Sequence, residues 1–133
     1  MKTLILKLRR STQGAIGLEF GLAIPILVVL MIGILQYGLV LNANGSMRNA
    51  MGEGLRLAKV NPAATDSQVL NRTRSTLVGV DPAAVTTLTF VRGTSSNAQT
   101  GTMTMQVTLT PIIPFAPISP IVLSQTKRVY LPS

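Results

Sequence analysis

The chain has 133 residues, no Cys, His or Trp, a hydrophobic fraction of 47% against 12% charged, and a formal net charge of +8. Without Cys or His it can form no disulfide, present no thiolate nucleophile, build no Ser-His-Asp relay and offer zinc no sulfur or imidazole ligand. The charge is lopsided: Lys2, Lys7, Arg9 and Arg10 precede Gly14, the rest carries +4, and its basic residues are scattered in pairs without interleaved aromatics, so no stacking platform for single-stranded nucleic acid is visible.

The first element is the apolar run GAIGLEFGLAIPILVVLMIGILQYGLVL from Gly14 to Leu41. From Phe20 to Leu41 its 22 residues carry no charge, and as a helix at about 1.5 Å per residue they span roughly 33 Å. A bilayer's hydrocarbon core is about 30 Å thick. The basic cluster before the run predicts a cytoplasmic N-terminus and a head beyond the inner membrane. The run is too long for the apolar core of a cleaved secretory signal, and Asn42 to Gly45 is a poor small-x-small cleavage site. An uncleaved signal anchor is the plain alternative, but it leaves Gly14 and Glu19 unexplained. Glu19 stands at the head of the run, where a carboxylate at helix-centre depth would cost about 2.5 to 3.5 kcal/mol.

Gly14 closes a basic leader, Ala15 follows it, and Glu19 then Phe20 stand five and six positions beyond the glycine. This arrangement resembles the prepilin-peptidase site of type IV pilins and their relatives. The closer resemblance is to the TadE-like group, the minor pseudopilins of tight-adherence (Flp-type) pilus systems, over about residues 9 to 41. It is carried by Gly14, Glu19, Phe20, Pro25, Gly33 and Gly38. Gln36 stands where many members carry an acid. The resemblance implies cleavage between Gly14 and Ala15 by a membrane aspartyl peptidase, often with methylation of the new amine. The charge logic agrees, because the amine at Ala15 and the carboxylate at Glu19 can neutralise each other between neighbouring subunits at low dielectric. Gly17 and Gly21 form a small-xxx-small pair that lets another helix approach. Pro25 removes a backbone donor and permits a bend. Tyr37 sits where an interfacial ring belongs.

Beyond the anchor, Met47, Met51, Leu55 and Ala58 keep a helical period, with Arg48, Glu53, Arg56 and Lys59 elsewhere. The spacing predicts an amphipathic stalk continuing the membrane helix to just before Pro62, weakened by Gly45, Gly52 and Gly54. A second helix is signposted by the capping-box pair Thr65 and Gln68, by Val69, Leu70, Thr73 and Leu77 on one face, and by Gly79 as its stop. Arg72 and Arg74 read as its solvated side. The period then changes to two: Val85 to Arg92 reads as a strand, Gly93 to Gly101 as a polar loop with its tip near Ser95 to Gln99, and Met103, Met105, Val107 and Leu109 as the buried side of a second strand. Prolines 111, 114, 117 and 120, with Ile112, Ile113, Phe115 and Ile118, make an apolar loop that should cross the domain and pack on the helix. A last strand runs from Ile121 to Leu131, carrying Lys127 and Arg128.

The expectation is an α+β chain with a leader (1–14), a transmembrane helix (15–41) and one small head (42–133) of a helix against about three antiparallel strands, its core aliphatic and Met-rich. Asp66 and Asp81 read as helix-start and turn residues, so no catalytic pair, cofactor or metal site is expected and the chain is read as no enzyme. The resemblance implies assembly of a tight-adherence pilus, with a prepilin peptidase, other pilins or pseudopilins, and membrane lipid as partners. Two rival readings are a signal-anchored envelope protein whose head is a binding or scaffold domain, and a pseudopilin of a DNA-uptake or secretion system. In the latter, Arg72, Arg74, Arg92, Lys127 and Arg128 would track phosphates.

Overall fold

A computed structural model describes residues 12–112 and 117–132, with side-chain surroundings from Ile16 onward. The basic leader cluster, and Ile113, Pro114 and Phe115 of the proline segment, lie outside the described residues. The elements are α1 (Thr12–Val60), α2 (Asp66–Thr76), a single 3-10 turn (Pro82–Ala84), β1 (Val85–Ser95), β2 (Ala98–Leu109) and β3 (Ile121–Tyr130).

Helix α1 is one unbroken rod of 49 residues that passes through Pro25 and across the Asn42–Gly45 segment without interruption. Its second half is the spine of the head. Ala43, Met47, Ala50, Met51, Leu55 and Ala58 are buried, at the spacings of three and four that keep one face in register along a helix. Chain reversal follows at Asn61, whose carbonyl accepts from the Ala64 N–H and whose side chain accepts from the Ala63 N–H. The capping box at the start of α2 forms as the sequence implies: Thr65 Oγ1 accepts from the Gln68 N–H, and the Gln68 side chain accepts from the Thr65 N–H. The helix stops at Thr76 with Leu77 extended, ahead of the expected stop, and the left-handed Gly79 (φ +74°) comes three residues after its end. Ser46 ties this exit to α1 by exchanging hydrogen bonds with the Val78 backbone.

The three strands form one antiparallel sheet in the order β1-β2-β3, with Phe90 opposite Met103 and Leu109 opposite Ile121. Met103, Met105 and Val107 are fully buried against the helices, while Thr102, Thr104, Gln106 and Thr108 alternate on the wetter face. The stretch read as a polar loop from Gly93 to Gly101 is instead paired strand: β1 runs to Ser95, and only Ser96 and Asn97 turn the chain, both at positive φ (51° and 63°). A two-residue hairpin with both turn residues left-handed matches the twist of its strands, and asparagine tolerates that conformation. Threonine and glycine on a sparsely buried ribbon resemble a loop in composition, yet the ladder pairs them as Gly93 with Thr100 and Thr94 with Gln99.

Helices α1 and α2 lie on one face of the sheet, and four of the six methionines (Met47, Met51, Met103 and Met105) are fully buried between the layers. Gly54 makes the helix crossing possible. A Cβ there would lie 1.9 Å from Thr73 Oγ1, 3.1 Å from the Val69 carbonyl and 3.1 Å from Met103 Cε. Thr73 is itself buried and satisfied, its hydroxyl donating to the Val69 carbonyl at 2.9 Å. The stalk glycines are thus not alike: nothing stands within 4 Å of a Cβ at Gly45. Gly54→Ala should destabilise the head by about 1 to 3 kcal/mol through overpacking, whereas Gly45→Ala should be neutral or stabilising by up to about 1 kcal/mol. Denaturant unfolding of the detergent-solubilised full chain measures both, and equal shifts would refute the close approach at Gly54.

Candidate functional site: the exposed half of the long helix and the ionic contacts of the head

From Ile16 to Met31 every residue of α1 is exposed, and the described fold first covers the helix around Gly33 and Gln36. Leu18, Phe20, Leu22, Ile26, Leu30, Ile34 and Leu35 are all more than half exposed. The segment has a mean hydropathy of 2.6 with none of it buried in the fold. A helix of this kind that served as a soluble core would be covered, so its length and composition make it a single-pass membrane anchor candidate. Gly14 and Ala15 already belong to its helical backbone. Glu19 lies one turn beyond Ala15, exposed beside Phe20, and no ion pair among the described residues involves it. Gly17 and Gly21 lie a turn apart, and an added Cβ at either would meet nothing within 4 Å. They leave a shallow strip on which a second helix has room. Pro25 is accommodated inside the helix.

In the head, the cations are largely engaged with the chain itself. Arg72, read as solvated, reaches back to Glu53 on α1 at 3.4 Å, and Arg56 holds the same carboxylate at 3.3 Å. Arg92 clasps the start of α2, donating to Asp66 at 2.7 Å and to the Ala64 carbonyl, with its guanidinium 5.6 Å from the Phe90 ring centre. Lys127 Nζ donates to the Arg48 carbonyl at 2.8 Å, and Arg128 Nε to Thr102 Oγ1 at 3.3 Å. Gln125 donates to Asn44 across the junction of anchor and head. Of the five cations in the phosphate-tracking reading, four are therefore bonded within the fold and Arg74 stands on the flank of α2. Sequence reasoning missed the Glu53–Arg72, Arg92–Asp66 and Asn44–Gln125 contacts, because each joins residues far apart in the chain. Among the described residues no group of three or more acids could hold a metal ion.

A family model described as TadE-like protein matches residues 14–56. The match bears out the resemblance, and extends it past the anchor into the buried spine. No curated protein matches. No solved structure matches.

Near the end of the matched segment, the Arg56 guanidinium and then that of Arg72 hold the Glu53 carboxyl below its ordinary value of 4.5. A carboxyl with a lower pKa folded than unfolded contributes stability above the unfolded value and loses it as pH falls through the folded value. Both arginines are at least half exposed, so the contribution is small and screened. Glu53→Gln should slightly lower the thermal midpoint of the head near neutral pH, and the gap from the parent should close as pH drops below 4.5. A gap that persists unchanged in strong acid would show that the charge is not responsible.

Proposed function

We propose that this chain is a minor pseudopilin of a tight-adherence (Flp-type) pilus system, matured by cleavage after Gly14 and working through helix packing rather than chemistry. The TadE-like match over residues 14–56 carries the reading. It supports association with the tight-adherence pilus as the coarser statement. The finer one, processing and assembly, draws on the geometry of the exposed half of α1. Once the leader is removed, the amine of Ala15 and the carboxylate of Glu19 are one helical turn apart. At the lipid boundary that pair is most stable when a neighbouring subunit brings the opposite charge, which selects one axial register. Gly17 and Gly21 leave the backbone open to such a neighbour.

The partners follow from this reading: a prepilin peptidase acting at Gly14 and Ala15, other pilins or pseudopilins along α1, and lipid around the anchor. The protein sits in the inner membrane with its N-terminus cytoplasmic, on the strength of Lys2, Lys7, Arg9 and Arg10, and its head periplasmic. No catalytic role is proposed, and no nucleic-acid partner, since the candidate phosphate-binding cations are spread over α2, β1 and β3 and mostly bonded within the fold.

Intact-mass measurement of the protein from membranes of cells with an active prepilin peptidase should show loss of the first fourteen residues. A chain still beginning at Met1 would favour the plain signal anchor instead. Glu19→Ala should stay in the membrane but co-isolate several-fold less with pilin-like subunits. Undiminished pilus assembly by that variant would remove the proposed charge pairing.

A further inference from the structure

We propose that the described ends of the connection between β2 and β3, around Pro111–Ile112 and Ile118, form a second membrane contact, inserted among the acyl chains of the leaflet from which α1 rises into the head. The strands run along α1, and their order fixes which end lies low. Asn44 meets Gln125 and Arg48 meets Lys127, so β3 climbs with the helix and Ile121 is at its anchor-proximal end. The connection reaches lower still. Pro111, Ile118 and Ile121 line one groove with Gly33, Gln36, Tyr37 and Val40 of α1. Gln36 Nε2 donates to the Ile112 carbonyl at 3.4 Å. Gln36 is five residues before the end of the apolar run, about 7.5 Å along the axis at about 1.5 Å per residue. If α1 crosses a bilayer, Ile112 is therefore below the interface.

The chemistry of the segment suits that depth. Between Gly93 and Thr126 the chain has no charged side chain. Ile112 is 77% exposed and Ile118 42%, and Val122 beside them is open as well. Leu39 of α1, itself exposed, lines a second groove with Leu109, Thr110 and Pro111, so the apolar surface of the anchor continues onto this segment. Pro111, Pro117 and Pro120 at these ends bring no backbone N–H into lipid. Irregular backbone at membrane depth is tolerated where its polar groups find partners within the protein. Gln36 supplies one, and one N–H of its own amide finds an acceptor in return. Lipid is the occupant because this patch continues the surface that the anchor already presents to the bilayer.

The chain contains no Trp, so a single introduced indole reports its own depth. The full-length protein would be reconstituted in phosphatidylcholine–phosphatidylglycerol vesicles with ordinary or brominated acyl chains, carrying Ile112→Trp, Ile118→Trp, Leu30→Trp in mid-anchor, or Val91→Trp near the distal hairpin. Ile112→Trp and Ile118→Trp should emit to the blue of Val91→Trp and be quenched on bromination as Leu30→Trp is, because bromine quenches an indole only at close range. Val91→Trp should be unaffected by bromine. Water-like emission from position 112, insensitive to bromine, would overturn the proposal. Blue emission without bromine quenching would also overturn it, showing a second copy over the patch instead of lipid. The inference rests on α1 crossing the bilayer and not on the pilus reading: an unquenched Leu30→Trp would refute it at that premise, whereas an uncleaved N-terminus would leave it standing.

Discussion

Everything in this molecule depends on one unbroken helix whose first half is long and apolar enough to cross a membrane and whose second half is the spine of a protein core. The first half of α1 is apolar all round, as lipid requires, and the second is apolar on one face only, as a protein core requires. Because the backbone hydrogen bonds are completed within the helix, the change of solvent needs no change of secondary structure. The face that carries Met47, Met51, Leu55 and Ala58 into the core is continued downward by Ala43, Val40, Gln36 and Gly33. The contact of head on helix therefore does not stop where the apolar run stops, and a boundary drawn at Leu41 marks a change of composition more than a change of structure.

A head of this size without disulfides has to obtain its stability from a small core and from tying its elements together. The methionines contribute adaptable shape where the helices meet the sheet, and Gly54 lets α2 approach α1 closely enough for Thr73 and Met103 to touch. Around that core the few charged residues act as ties between elements: Glu53 joins α1 to α2 and Arg92 joins β1 to the start of α2. Exposed pairs of this kind are individually weak. Their use here is geometric, since each ties together two elements distant in the chain beside the buried core.

Most of the architecture was legible in the sequence because its signals are periodic. Four apolar residues at helical spacing, a capping box and a strict alternation of Met or Val with Thr each identify an element and its buried side, and the fold places those sides together. The misreading of Gly93 to Gly101 has a physical origin: a ribbon of Thr, Ser and Gly lacks an apolar face, so nothing local separates it from a loop. What decides is the pairing of Ser95 with Ala98 around a turn whose Ser96 and Asn97 both accept positive φ. Gly54 was legible only as a helix-weakening residue, because a close approach depends on what stands opposite. The candidate site shows the same limit: Gly14, Glu19 and the glycine pair stand out as pattern, but the roles proposed for them lie between chains, while the bonds that engage Arg72, Arg92 and Lys127 arise only from tertiary pairing.

The absence of a hinge in α1 has a mechanical consequence. A head joined to its anchor by a flexible linker could turn independently, and a neighbour recognising the anchor would learn nothing of the head's orientation. Here the helix runs through the junction intact, with Asn44 and Ser46 bonded to Gln125 and Val78 just above the apolar run. Rotation of the anchor about its axis is thereby rotation of the head. A charge contact at the level of Glu19 that fixed register and azimuth between two anchors would also set which faces of the two heads meet. The threonine-bearing outer face of the sheet, on which Arg128 pairs with Thr102, would then be positioned by packing that occurs several turns below it, along the apolar half of α1.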